Sequence, residues 1–147
     1  MGPMGIHVDS TITSRILEES SPFSVMHLTT GYFNLTDDYA NAIINKSEAK
    51  YFILMAHPTA NGFYNSRGPA KGIPFGYTDI ATKFWNKVLS NEQDFRIKMF
   101  EYKRPGWTYH AKGLWVTPEN STLPCMTFIG SPNFGKFCLV NAKRLTC

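Results

Sequence analysis

Residues 107–135 read WTYHAKGLWVTPENSTLPCMTFIGSPNFG, and the fold follows from how this stretch is read. In a strand, successive side chains point to opposite faces. Tyr109, Ala111, Gly113 and Trp115 then share one face, while His110, Lys112 and Leu114 share the other. A second apolar run, Met126 to Ile129, ends in Gly130-Ser131-Pro132-Asn133. Two adjacent antiparallel strands would bring the Ser131 hydroxyl and the Asn133 amide beside the His110 imidazole and the Lys112 ammonium. That set holds a cation, a titratable nitrogen and two neutral hydrogen-bonding groups, which suits phosphate.

Taken singly, each feature has an ordinary reading. A histidine in a half-apolar strand is commonly structural, a neighbouring lysine is commonly a solvated charge, and G-S-P-N is good turn chemistry. The order separates the readings: H-x-K in a strand, a loop, a second strand, then G-S-x-N.

That order resembles the phospholipase D superfamily, whose motif runs H-x-K-x4-D and then G-S-x-N. Within it the text is similar to the eukaryotic phosphatidylglycerophosphate synthases. The matching words are TGYFNLT at 30–36, NGFY at 61–64, GWTYHAKGLW at 106–115, and SxLPC with GSPNFG at 121–135. The likeness covers roughly residues 24–135 and looks like the second, C-terminal of two H-K halves. Thr117 stands where the general motif has its acid.

The resemblance implies an α/β fold: half of a phospholipase D-like fold, a mixed β-sheet flanked by helices. It implies catalytic His110 and Lys112, phosphate-binding Ser131 and Asn133, and neither metal nor cofactor, since lysine supplies the cation. The reaction implied is phosphatidyl transfer from CDP-diacylglycerol to glycerol 3-phosphate, giving phosphatidylglycerophosphate and CMP. It would run in the mitochondrion, at the inner membrane surface. One histidine would form a phosphohistidine, and the other, assigned to His110, would act as acid and then base. Only one H-x-K occurs here and the chain has no internal repeat. The missing N-terminal half or a homodimer partner is therefore needed, and the chain alone is expected to be inactive. A phospholipase D-like hydrolase and a catalytically dead lipid-binding segment are the competing readings.

Outward from that stretch, residues 23–33 read as a strand, with Asn34 or Thr36 capping a helix over about 37–44. YFILMA at 51–56 reads as a strand covered on both faces. A strand–helix–strand unit predicts a parallel pair. Residues 57–77 form a long Gly- and Pro-rich loop carrying Arg67 and Lys71. A helix over 77–89 places Ile80, Phe84, Val88 and Leu89 on its apolar stripe. FRIKMFEY at 95–102 alternates, with Phe95 and Ile97 opposite Arg96 and Lys98. Pro105-Gly106 turns the chain into the H-A-K strand.

Residues 1–21 read as an irregular lead-in with a short helix around 13–19. Their acids argue against a mitochondrial transit peptide and for a start partway through a larger protein. Residues 22–135 form the half domain. Residues 136–147, KFCLVNAKRLTC, depart from the family, and no acid follows Glu119. The tail reads as an alternative exon or a read-through ending, and it would leave an apolar sheet edge exposed.

At 147 residues, 43% hydrophobic and 18% charged, the chain can bury one core. Net charge is +4, suited to an anionic lipid surface or a phosphorylated substrate. No basic stripe interleaved with aromatics marks a nucleic-acid partner. Three cysteines, Cys125, Cys138 and Cys147, have no metal-ligand spacing and read as thiols of a reducing compartment.

Overall fold

The computed structural model describes residues 8–129 and 134. Helix α1 (Val8–Glu18) leads into strand β1 (Val25–Thr30), then α2 (Asp37–Asn41) with a π-helical turn over Ala42–Lys46. Strand β2 (Lys50–Ala56) follows, then two 3-10 turns at Pro58–Ala60 and Gly68–Gly72, and helix α3 (Ile73–Ser90). Strands β3 (Ile97–Tyr102), β4 (Lys112–Thr117) and β5 (Met126–Ile129) complete one sheet in the order β3-β2-β1-β4-β5. β1 and β3 run parallel to β2, while β4 runs antiparallel to both β1 and β5. The sheet is therefore mixed, as expected, with the parallel pair joined through α2 and the H-K strand in an antiparallel pair.

The core lies on one face of this sheet. Met26 and Leu28 of β1, Tyr51 and Ile53 of β2, Ile97 of β3 and Leu114 of β4 are fully buried against Leu17, Ile43, Phe84 and Val88 from the helical segments. Each strand contributes alternate residues, as the pleat requires. Helix α1 starts earlier than the short helix expected around 13–19, and its Leu17 is part of the core. Helix α3 begins four residues before the expected Tyr77, with Pro74 in its first turn, where a missing N–H costs nothing. Thr36 is the cap of α2: its side chain accepts from the Tyr39 N–H at 3.1 Å.

Three expectations need correction. β2 is buried on one face only: Tyr51, Ile53 and Met55 are buried, while Phe52 and Leu54 are half-buried. Those two line an apolar hollow of about 600 Å³ with His27, Phe100, Tyr109 and Trp115. Leu89 is 46% exposed, because it lies beside the stripe formed by Ala81, Phe84 and Val88. Phe95 is 72% exposed and Arg96 only 6%, the reverse of an apolar-in, charge-out alternation. Arg96 precedes β3 and is drawn inward because its guanidinium donates to the Ile43, Ile44 and Ala49 carbonyls.

Among the described residues no helix is long and apolar enough to cross a membrane. The tail over 136–147 lies outside the described residues.

Candidate active site

His110 and Lys112 lie at the edge of the sheet where the parallel strands end. Lys112 is the first residue of β4 and pairs with Thr30, the last of β1. Carboxyl ends of parallel strands, where the direction of connection changes, are where α/β sheets bind ligands. His110 sits two residues before Lys112 in the extended lead-in, and the ladder reaches it through Gly31 N–H donating to the Ala111 carbonyl at 2.8 Å. The alternation then sends both side chains to one side. Lys112 Nζ lies 2.9 Å from His110 Nε2. An ammonium can only donate, so Nε2 is the acceptor in this contact.

The lead-in is held from the opposite side by Tyr109. Its hydroxyl hydrogen-bonds to Thr29 Oγ1, its ring stacks on Tyr102 with centroids 4.8 Å apart, and its N–H donates to the Ala60 carbonyl at 2.8 Å. Tyr109 is thus anchored to β1, to β3 and to the loop after β2. The expected Pro105-Gly106 turn precedes it: Gly106 has φ +75° and Trp107 N–H donates to the Arg104 carbonyl.

Close approach explains the glycine in T-G-Y. A Cβ on Gly31 would stand 2.9 Å from the Tyr109 carbonyl oxygen and 3.0 Å from His110 Cα. Glycine is the residue that lets β1 pass this near the histidine backbone. Next to it, Tyr32 tilts against the His110 imidazole, centroids 5.0 Å apart, and stacks on Tyr77 at 5.4 Å. Phe63 of the long loop lies 5.5 Å from the same ring, and Lys112 Nζ lies 5.8 Å from its centroid. Burial pushes the Tyr32 phenol above its usual range, so it is protonated at neutral pH. None of these neighbours was assigned a role from sequence, although T-G-Y was visible as a small residue before an aromatic one.

Ser131 and Asn133 lie outside the described residues. On their two sides, Ile129 pairs with Gly113, and the Phe134 carbonyl accepts from the Thr36 N–H at 3.1 Å. Two other described histidines have ordinary roles. His57 Nδ1 caps the turn at Pro58 by accepting from Thr59 N–H, and His27 stacks on Phe52 across the open face.

A mixed sheet carrying a histidine–lysine pair at its switch point is a phospholipase D-like α/β fold. The fold matches the crystal structure of a phosphatidylserine synthase from Haemophilus influenzae with a TM-score of 0.65, at 21% identity, over 80% of this chain and 27% of that one. No family model matches the chain. Along its sequence, however, it is a homologue of the CDP-diacylglycerol–glycerol-3-phosphate 3-phosphatidyltransferases. It is 47% identical over 135 residues to the mitochondrial protein of that name from Gallus gallus and 45% identical to that from Homo sapiens. In each case the match covers 92% of this chain and 24% of the relative. The Saccharomyces cerevisiae protein is 34% identical over 136 residues, covering 85% of this chain and 25% of that one. The chain spans about a quarter of the length of these curated relatives.

Proposed function

We propose that this chain supplies one half of a phosphatidyltransferase site that makes phosphatidylglycerophosphate and CMP from CDP-diacylglycerol and glycerol 3-phosphate. The observation that carries this is the 2.9 Å contact between Lys112 Nζ and His110 Nε2 at the carboxyl ends of the parallel strands. The names of the relatives give the substrates and the mitochondrial setting. The net charge of +4 suits peripheral contact with an anionic inner membrane.

His110 is the acid–base group. In the first step the histidine of a second H-K half attacks phosphorus, an N–P bond forms, and the P–O bond to CMP breaks as His110 gives CMP a proton. In the second step the glycerol hydroxyl surrenders its proton to His110, attacks phosphorus, and the N–P bond breaks. Lys112, with Ser131 and Asn133, stabilises charge on the equatorial oxygens. An incoming phosphodiester competes with His110 for the ammonium, and its arrival leaves Nε2 open to take a proton.

The second half comes from another part of a longer chain or from a second copy of this one. The test supplies CDP-diacylglycerol with glycerol 3-phosphate or with water, to this chain alone and to a full-length chain containing it. CMP release that depends on glycerol 3-phosphate and on both halves is the expected result. CMP release with water alone would make it a hydrolase, and no release from any combination would make it a binding segment. Turnover by a purified monomer of this chain would refute the half-site.

A further inference from the structure

We infer that Tyr32 is the positioning residue of this site, acting through its ring to fix the His110 imidazole and the Lys112 ammonium in their catalytic orientation. This rests on the functional reading above.

His110 is exposed and Lys112 half-buried. The Tyr32 ring is the surface both lie against, at 5.0 Å from the imidazole centroid and 5.8 Å from Nζ. An aromatic face attracts a cation within about 6 Å of its centroid, so the ring holds the ammonium whether or not Nε2 is accepting from it. The ring's contact with the imidazole also favours the imidazolium formed during proton transfer. Tyr32 is itself held. Tyr77 at the start of α3 stacks on it with an interplanar angle of 21°, and Phe63 tilts against it. A Cβ on Gly62 would reach 3.1 Å from its hydroxyl, so the loop after β2 closes over the phenol end. The backbone before it is pinned as well: Thr30 Oγ1 donates to the Tyr32 carbonyl at 3.1 Å. One ring therefore connects β1, the 61–64 loop and α3 to the two reacting side chains. Among the described residues the Tyr32 hydroxyl makes no hydrogen bond, so the contacts that orient the site belong to the ring.

The experiment measures kcat and KM in a full-length chain carrying this segment, with His110→Ala as the reference. Tyr32→Phe keeps the ring and should stay within about twofold of the parent in both parameters, whereas Tyr32→Leu should lower kcat on the order of 10²-fold with KM little changed. Tyr77→Leu leaves Tyr32 in place but removes its stacking partner, and should lower kcat by a smaller factor. That variant carries the test if Tyr32→Leu does not fold. Full kcat in both leucine variants would overturn the inference, as would equal losses in Tyr32→Phe and Tyr32→Leu, which would assign the role to the hydroxyl. If His110→Ala were itself fully active, the functional reading would fail instead, so the two failures are distinct.

Discussion

Lys112 Nζ stands 2.9 Å from His110 Nε2 across the single intervening residue Ala111, and neither side chain is buried. The extended backbone from His110 to Lys112 places both on one side, and the pairing of Lys112 with Thr30 sets that side at the end of β1. In the proposed mechanism their roles are chemical, so removing them should affect turnover and leave the core intact.

In a full-length chain, His110→Ala is expected to lower kcat by about 10²–10⁴-fold, as loss of a proton-transfer group does. Lys112→Ala should cost on the order of 10²–10³-fold through loss of charge stabilisation. Thermal midpoints should stay close to the parent, because neither side chain contributes to the core. Near-normal turnover in His110→Ala would remove it from the mechanism.

Gly31→Ala tests the close approach of β1 to the histidine strand. Its Cβ would meet two backbone atoms, the Tyr109 carbonyl oxygen at 2.9 Å and His110 Cα at 3.0 Å. Backbone cannot swing aside as a side-chain tip can, so overpacking should cost about 1–3 kcal/mol. The displaced His110 should also lower kcat. Urea unfolding and steady-state kinetics on the same variant read the two effects, and an unchanged unfolding midpoint would count against the close approach.

Arg96 is the polar anchor of the core. Its guanidinium reaches the carbonyls of Ile43 (2.8 Å), Ile44 (2.9 Å) and Ala49 (3.0 Å), and its Nε donates to Gln93 Oε1 at 2.6 Å. Arg96→Met fills similar space but strands those carbonyls, each at about 1–3 kcal/mol, for an expected loss of about 3 kcal/mol or more. Arg96→Lys should recover only part, since an ammonium lacks the planar fork. The denaturant midpoint measures both.

Stability should fall in alkali through Tyr51. Desolvation pushes its phenol up to about 12 from 10.0, against smaller opposing effects of Ser47 and Arg96. The unfolded chain loses this proton near pH 10 and the folded chain only near 12. Its contribution is thus complete below pH 10 and lost as pH rises toward 12, about 2–3 kcal/mol in all. Tyr51→Phe should flatten the dependence of unfolding free energy on pH in that window. An equally steep profile in the variant would assign it to another group.

The open face of the sheet should limit solubility. His27, Phe52 and Phe100 stack in a row across β1, β2 and β3, with centroids 5.3 and 6.2 Å apart. Contiguous apolar surface of this kind promotes association. Phe100 is 49% exposed, so Phe100→Lys should raise the concentration at which light scattering detects aggregates, with little change in melting temperature. No gain in solubility would point to another surface.

Much of this was legible from local pattern. Period-two alternation marked β4 and its two faces, Asn34 or Thr36 marked the start of α2 with the structure choosing Thr36, and Pro105-Gly106 marked the turn. Pro74 is a local signal for the earlier start of α3. Where local pattern failed, a distant partner had decided. Phe95 and Arg96 traded places because three carbonyls from the π-helical turn and the approach to β2 draw the guanidinium inward. A hydropathy pattern sees the charge of an arginine but not the carbonyls waiting for it.

The sequence by itself determined the candidate chemistry: H-x-K, a second apolar strand and G-S-P-N in that order, on a chain long enough for one sheet and its helices. Only the tertiary structure decided what surrounds that chemistry. Strand pairing set Thr30 beside Lys112, and so brought Gly31 and Tyr32, nearly eighty positions upstream, against His110. It also put the loop residue Phe63 and the helix residue Tyr77 on the same ring. Such contacts depend on register and on how helices cover the sheet, and both are set by long-range packing rather than by any residue's neighbours in the chain.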